Sequence, residues 1–130
     1  MVTSGVDIIE ITRVEESLAR YGVRFLDRVF TPQEQASCAG RAASLAGRFA
    51  VKEAVAKALG TGIGDIRWTD VEVVVEAENG RPYLRLHHHA ESLAAQLGVE
   101  EWSISISHTD SLAIGFAVAI GRRHNEVSHE

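Results

Sequence analysis

The longest helical pattern in the sequence lies in residues 41–59, which read RAASLAGRFAVKEAVAKAL. Alanine and leucine favour a helix, and the apolar residues recur every three or four positions. A glycine-rich run begins at Gly60, and glycine just past a helix end accepts a left-handed conformation that other residues resist. The pattern therefore predicts one long helix that ends near Leu59.

Alternating patterns elsewhere predict strands, so the chain is expected to have an α+β fold. Residues 4–11 are rich in β-branched side chains and predict a first strand. Residues 71–75 and 82–86 predict a hairpin around the turn Asn79-Gly80. Residues 102–107 and 112–120 predict a second strand pair.

Three further helices are predicted from capping patterns and apolar repeats. Thr12 and Glu15 match a capping box, and the helix that follows is interrupted at Gly22 and resumes over residues 23–29. Thr31-Pro32 marks the start of the next helix, because proline is favoured at the first helical position. Residues 89–97 predict a third helix, which ends before Gly98.

Composition limits the classes of function. The chain has 130 residues, 13 basic against 18 acidic, and a net charge of -5, which disfavours binding to nucleic acid. It lacks an apolar run of about 20 residues and a signal-peptide pattern, so we expect a cytoplasmic protein without a membrane span. Cys38 cannot form an internal disulfide. One domain is expected in residues 1–121, followed by a polar tail in 122–130.

Two acidic residues are candidates for chemistry. Glu53 and Lys57 lie four residues apart, on one face of the long helix, where such a pair can equally be a solvated, helix-stabilising ion pair. Asp7 interrupts an apolar strand, where an acid is costly unless a cation compensates it. If Asp7 and Glu53 converge, they form a typical magnesium site; the alternative is an exposed strand acid.

Other candidates carry weaker signals. His108 ends a strand just before a turn, a usual place for a functional side chain, although a lone histidine is more often structural. The run of histidines at 87–89 lacks zinc spacing, and a solvated helix start is the better interpretation. The glycines of residues 60–64 follow a helix instead of preceding one, so they are a weak phosphate motif.

Four motifs occur in the order and spacing of one known family: Gly5-Val6-Asp7-Ile8, residues 47–54 with 57–64, Asn79-Gly80-Arg81-Pro82 and Ser105-Ile106-Ser107-His108-Thr109. Together they resemble the holo-acyl-carrier-protein synthase family. The resemblance covers nearly the whole chain. It implies a 4'-phosphopantetheinyl transferase fold, with a small antiparallel sheet packed on a long helix, and a homotrimer with active sites between subunits.

The resemblance also implies an activity. The family transfers 4'-phosphopantetheine from coenzyme A to a serine of apo-acyl carrier protein, or of a carrier domain in a fatty acid synthase, and releases adenosine 3',5'-bisphosphate. The reaction would require Mg²⁺, or Mn²⁺ in its place. The serine proton would pass to Glu53 directly or to a metal-bound water oriented by Glu53, and we favour the water.

Motif positions assign the roles. The implied metal ligands are Asp7 and Glu53, and the implied catalytic residues are Asp7, Glu53, Lys57 and His108. The implied contacts to coenzyme A are Arg48, Lys57, Gly62, Asn79, Gly80, Pro82, His108 and Thr109. The implied carrier-docking residues are Arg13, Arg20, Arg24, Phe25 and Arg28, a local basic cluster suited to an acidic partner.

Two alternatives use the same residues without catalysis. One is a module that binds coenzyme A or a nucleotide and transfers nothing. The other is a trimeric interaction protein that docks carrier domains through its arginines. Metal-dependent modification of a carrier would exclude both.

Overall fold

The structure is a computed structural model and describes residues 1–61 and 65–122. The elements in chain order are β1 Val2–Glu10, α1 Ile11–Tyr21, α2 Val23–Val29, α3 Pro32–Cys38, α4 Ala42–Ala58, a 3₁₀ turn Trp68–Asp70, β2 Val71–Val75, β3 Pro82–Leu86, α5 His88–Gln96, β4 Val99–His108 and β5 Leu112–Gly121. The predicted helices and strands are found in this order, which makes an α+β fold.

Two antiparallel sheets organise the strands. The larger sheet has the order β1-β5-β4, and the smaller one is the β2-β3 hairpin. In the larger sheet Asp7 pairs with Gly115 and Ile9 pairs with Ala113. In the hairpin, the backbone N–H of Gly80 donates to Glu76 O over 2.9 Å, and Gly80 has the positive φ of 66° that this turn requires.

Helix α4 lies at the centre of the molecule. Most of its 17 residues are buried, including Val51, Ala54 and Val55. Such a helix is apolar on nearly every side, as expected of a helix packed between other elements. One side contacts β1 and β5, and the other contacts α1, α3 and β2.

Two glycines bring α4 close to the larger sheet. A Cβ atom added at Gly5 would collide with the carbonyl oxygen of Ala54, and one added at Gly115 would collide with the backbone at Ala50 and Val51. The helix and the sheet therefore meet backbone to backbone. Because Gly115 pairs with Asp7, the close approach occurs beside the predicted metal ligand.

The helix ends confirm one capping prediction and correct another. Thr31 Oγ accepts from Glu34 N, and the Glu34 side chain accepts from Thr31 N, so the predicted capping box is present in α3. The capping box predicted at Thr12 is wrong. Helix α1 begins at Ile11, two residues earlier than a cap at Thr12 implies, and its cap is Glu10, which makes no side-chain hydrogen bond. The N–H of Ile11 instead donates to the backbone oxygen of Ser111, in the turn before β5, over 2.9 Å.

On the second face of the larger sheet, β1 and β5 present apolar side chains that the other described elements leave exposed. Side chains alternate along a strand, so the neighbours of Asp7 and Gly115 point away from α4. They include Val6, Ile8, Ile114 and Phe116, all of which are exposed. Val6 pairs with Phe116 and Ile8 with Ile114, which makes a continuous apolar strip. We call this surface the open sheet face.

Candidate active site

The structure brings Asp7 and Glu53 together. Asp7 comes from the middle of β1 and points toward α4, and Glu53 faces it from that helix. Both line a cleft of about 510 Å³ whose other wall is formed by α1 and α2. Their proximity depends on Gly5 and Gly115, which allow the helix backbone to contact the strands. The convergence that the sequence left open is therefore present.

The two carboxylates repel each other. Burial raises the pKa of Glu53, and the negative charge of Asp7 raises it further, whereas Lys57 opposes both effects. A raised pKa of an acid means that its ionised form lacks compensation in the folded protein. A cation bound between the two carboxylates would supply that compensation.

Lys57 pairs with Asp7 across the boundary between helix and strand. Its Nζ donates to Asp7 Oδ1 over 3.1 Å and to the backbone oxygen of Val6 over 2.9 Å. The Lys57 side chain is 53% exposed and the Asp7 side chain 20% exposed. The predicted pairing of Lys57 with Glu53 along the helix is thus secondary to this longer-range contact.

Basic and aromatic side chains form part of the remaining wall of the cleft, together with the acid Glu16 and aliphatic residues. Arg13, Arg20 and Phe25 share its wall with Asp7 and Glu53. A neighbouring cavity of about 500 Å³ is lined by Arg24, Arg28, Phe25 and Trp68, among others. All five residues predicted to dock a carrier therefore lie on one side of the acidic pair.

Trp68 is a site residue that the sequence interpretation missed. Its ring stacks on Phe49, with 4.6 Å between centroids and 28° between planes. It also lines a third opening, of about 690 Å³, which includes Glu53 and Arg28. The Trp68 backbone oxygen accepts from Lys52 Nζ over 3.0 Å, so a buried lysine holds it in place. The only local signal was an aromatic residue shortly after the glycine-rich segment.

Lys52, beside Glu53 in sequence, points away from the cleft and into the core. Its side chain is fully buried and its Nζ donates to Glu34 Oε1 over 2.8 Å. It also donates to Val71 O over 2.5 Å. Glu34 Oε2 in turn accepts from Val73 N over 3.0 Å. This network joins α3, α4 and β2. The signal in the sequence was a lysine with apolar neighbours at 50 and 51, and again at 54 and 55.

Arg48 is buried and incompletely paired. One terminal nitrogen donates to Ser37 Oγ over 2.9 Å. Within the part of the chain that the structure describes, Arg48 Nε has no hydrogen-bond partner. A buried donor without an acceptor is costly, so Arg48 retains capacity for another acceptor. Five residues separate it from Glu53, which places the two on different sides of α4.

His108 and Thr109 lie at the turn between β4 and β5. His108 pairs with Ala113, which in turn pairs with Ile9. His108 is therefore two strands away from β1 and two positions along the sheet from Asp7, a distance of about 12 Å from strand geometry. Thr109 Oγ1 accepts from Ser111 N and Leu112 N, which closes the turn. A single chain does not bring His108 into contact with the carboxylates.

The remaining predicted coenzyme contacts belong to other segments. Asn79 and Gly80 form the β2-β3 turn, where Asn79 Oδ1 accepts from Arg81 N over 2.8 Å. Pro82 opens β3. Gly62 lies outside the described residues, as does the predicted tail apart from Arg122.

The donor set fits a hard divalent cation. In residues 1–61 and 65–122, the structure contains no group of three or more His, Cys, Asp or Glu residues that could hold a metal ion. Asp7 and Glu53 would thus supply two carboxylates, and water and substrate oxygens the rest. Magnesium is commonly bound in this way at sites that handle phosphates. Over the same described ranges, no helix has the length and apolar character required to cross a membrane.

Comparison with family models defines the class of protein. The model of the 4'-phosphopantetheinyl transferase superfamily, named ACPS, matches residues 4–117. That span contains both carboxylates, the whole of α4 and every described candidate site residue.

Individual relatives narrow the class. A holo-[acyl-carrier-protein] synthase of Moorella thermoacetica is 50% identical over 121 residues, which cover 91% of this chain and 93% of the relative. A synthase of the same name from Herpetosiphon aurantiacus is 44% identical over 128 residues, covering 93% and 100%. The chain therefore belongs to the holo-[acyl-carrier-protein] synthase family of 4'-phosphopantetheinyl transferases.

Solved structures have the same fold. The Helicobacter pylori holo-[acyl-carrier-protein] synthase in complex with coenzyme A aligns with a TM-score of 0.81 at 32% identity, covering 92% of this chain and all of that one. The Chronobacterium ammoniagenes ACPS-CoA complex aligns with a TM-score of 0.84 at 30% identity, covering 95% and 99%. The small antiparallel sheets found here are thus those of the family.

Proposed function

We propose that this chain transfers 4'-phosphopantetheine from coenzyme A to a serine of an apo-acyl carrier protein, or of a carrier domain in a fatty acid synthase. The observation that carries the proposal is the convergence of Asp7 and Glu53 in a cleft walled by arginines, in a chain that belongs to the synthase family. We place the activity in the cytoplasm, and residues 1–121 are the proposed transferase domain.

The reaction is a phosphoryl transfer. The serine oxygen forms a bond to the β-phosphorus of coenzyme A as the bond from that phosphorus to the bridging oxygen breaks. Adenosine 3',5'-bisphosphate leaves, and the arm remains on the carrier through a phosphodiester. Such reactions require the attacking and leaving oxygens to lie in line with the phosphorus and the charge of the phosphates to be compensated. The protein need not form a covalent intermediate.

Asp7 and Glu53 would hold Mg²⁺, or Mn²⁺ in its place. The ion, when bound, supplies positive charge against the diphosphate. Lys57 reaches the same point from α4 and adds a mobile positive charge. The serine proton would pass to Glu53 directly or to a water that Glu53 orients.

Coenzyme A would also be held by residues that lie apart in a single chain. The proposed contacts are Arg48, Lys57, Gly62, Asn79, Gly80, Pro82, His108 and Thr109. A homotrimer with active sites between subunits accounts for this separation, because a neighbour could supply the residues that one chain places elsewhere. The unpaired Nε of Arg48 supports this role, since a phosphate would provide the missing acceptor.

The open sheet face supports the proposed trimer. A continuous exposed strip that contains Ile8, Phe116 and Ile120 is typical of a subunit interface. Phe116→Glu should dissociate the assembly, as measured by sedimentation. The matched control is Val23→Glu, which places the same charge at an exposed apolar residue of α2. If Phe116→Glu sediments like the wild type, the open sheet face is not the interface.

The carrier would dock on α1 and α2. These helices present Arg13, Arg20, Arg24 and Arg28, with Phe25 partly buried among them. Clustered positive charge favours an acidic partner and raises its rate of encounter. The cluster lies beside the acidic pair, so a docked carrier could present its serine to the cleft.

Intact-mass measurement of a carrier tests the proposal. The purified chain is incubated with apo-carrier, coenzyme A and Mg²⁺, and the expected result is a gain of one phosphopantetheine per carrier. Asp7→Ala, Glu53→Ala and a chelator should each abolish the gain. Glu91→Ala, an exposed acid on α5, is the matched control and should react normally. Coenzyme A binding without any gain on several carriers would indicate a binding module instead.

A further inference from the structure

Lys57 occupies the carboxylate that we assign to the divalent cation. Its Nζ contacts Asp7 Oδ1 at 3.1 Å and is held there by the Val6 carbonyl oxygen at 2.9 Å. Among the described residues, Lys57 is the ion-pair partner of Asp7. The ammonium group therefore has two acceptors in β1, one charged and one neutral, and a defined position beside Asp7.

A divalent cation and Lys57 cannot share Asp7 without cost. Two positive groups on one carboxylate lie only a few ångströms apart, and their repulsion is strong where water is partly excluded. With Lys57 in place, the acidic pair carries one uncompensated negative charge. Adding a divalent cation would turn this into an excess of positive charge. Metal binding is thus favoured when Lys57 moves away from Asp7.

Lys57 is free to make such a move. Its side chain is 53% exposed, and a flexible four-carbon stem carries the ammonium group, so this group can leave Asp7 without disturbing α4. A coenzyme A diphosphate bound beside the acidic pair would offer Lys57 a more highly charged partner. A substrate that attracts Lys57 would therefore release Asp7 for the cation.

We propose that Lys57 is an internal competitor for the cation site and couples binding of the cation to binding of coenzyme A. Each ligand strengthens the other because both favour the position of Lys57 away from Asp7, and such coupling is reciprocal. Lys57 thereby keeps the acidic pair partly neutralised until coenzyme A binds. This inference rests on the proposed function, since it requires a diphosphate substrate and a cation at Asp7 and Glu53.

The test is a titration with Mn²⁺, followed by electron paramagnetic resonance of the free ion, with and without saturating coenzyme A. Lys57→Met keeps the length of the side chain and removes its charge. Without coenzyme A, this variant should bind Mn²⁺ at least about fivefold more tightly than the wild type, the lower end of ordinary coupling. Coenzyme A should then tighten Mn²⁺ binding less in the variant than in the wild type.

Two further variants separate direct competition from a general effect of charge. Lys57→Arg keeps a cation opposite Asp7 and should bind Mn²⁺ no more tightly than the wild type. Arg13→Met removes a positive charge from the same cleft and should change the Mn²⁺ affinity by less than about twofold, because exposed charges are screened. Circular dichroism confirms that each variant is folded.

These measurements distinguish a failure of the competition from a failure of the proposed function. If Lys57→Met binds Mn²⁺ no more tightly than the wild type, or if Arg13→Met tightens it equally, internal competition is wrong. The carrier assay can still succeed in that case, and the proposed function then stands. If neither the wild type nor Lys57→Met binds Mn²⁺, the competition is overturned together with the cation site. Unmodified carriers in the mass assay would overturn the proposed function.

Discussion

Replacement of Lys52 by methionine should strongly destabilise the protein, although residue 52 does not face the cleft. Methionine has a similar length and would fill the same space, so the change removes mainly the charge and its hydrogen bonds. Lys52 Nζ donates to Glu34 Oε1, Trp68 O and Val71 O. All three acceptors would lose this donor in the variant.

The expected loss of stability depends on the hydrogen bonds that Glu34 keeps in the variant. Removing one partner of a buried ion pair typically costs about 3–5 kcal/mol. Glu34 would keep two backbone donors, from Thr31 N and Val73 N, each at 3.0 Å. We therefore expect a loss of about 3–4 kcal/mol, in the lower part of that range. Against a total stability of about 5–15 kcal/mol, this is a large fraction.

Urea unfolding at pH 7 and 25 °C measures the loss, with all variants at one protein concentration because assembly adds to apparent stability. Lys57→Met is the matched control. It makes the same substitution on the same helix, but its side chain is 53% exposed. An exposed ion pair contributes about 1 kcal/mol or less, so the control should remain close to the wild type.

A loss below about 1 kcal/mol in the urea measurement at pH 7 would refute the role assigned to the ion pair between Lys52 and Glu34.

Three further predictions concern the site and its supports. Gly115→Ala should lower the free energy of unfolding by about 1–3 kcal/mol or prevent folding, because the added Cβ would collide with backbone atoms of α4. The control Gly47→Ala would meet only the Ile106 side chain, so it should lose less stability in the same urea assay. Glu53→Gln should raise the melting temperature at pH 7, since burial and Asp7 raise the pKa of Glu53, and this gain should vanish below about pH 4.5; an unchanged melting temperature would count against repulsion in the acidic pair. Burial alone would raise the pKa of Glu72, but hydrogen bonds from Thr31 and His87, with the charges of His87 and Arg85, hold it below its ordinary value. The ionised carboxylate of Glu72 therefore stabilises the fold above its unfolded pKa, near 4.5, and this stabilisation is lost as the pH falls through the folded pKa. In thermal unfolding at several pH values, the melting temperature of Glu72→Gln should therefore fall less on acidification than that of the wild type.

Local patterns were sufficient for most of the secondary structure. The helix from Ala42 to Ala58, the hairpin at Asn79-Gly80 and the box at Thr31 each depend on neighbours a few residues away. The error at Thr12 has a non-local cause. The N–H of Ile11 is satisfied by Ser111, a hundred residues later, so α1 needs no side-chain cap from Thr12.

The candidate site could be predicted only in part. The types of residues identified Asp7 and Glu53 as a potential pair, but their proximity depends on the close approach at Gly5 and Gly115. The pairing of Lys57 with Asp7 instead of Glu53, and the support of Trp68 by Lys52, also join distant segments. Periodicity along one helix contains no information about such contacts.

The different directions of Lys52, into the core, and Glu53, into the cleft, constrain how the gene for such a chain can change in length. Successive residues of a helix are rotated by about 100°, so one residue inserted or deleted before position 52 within α4 would turn the following side chains by that angle. The new register would move the core ammonium group and the cleft carboxylate out of their places together. Length variation is therefore expected in connecting segments, such as residues 39–41 and 76–81, and should be lethal to function inside α4. A library of single-codon deletions across residues 36–61 would map this boundary directly.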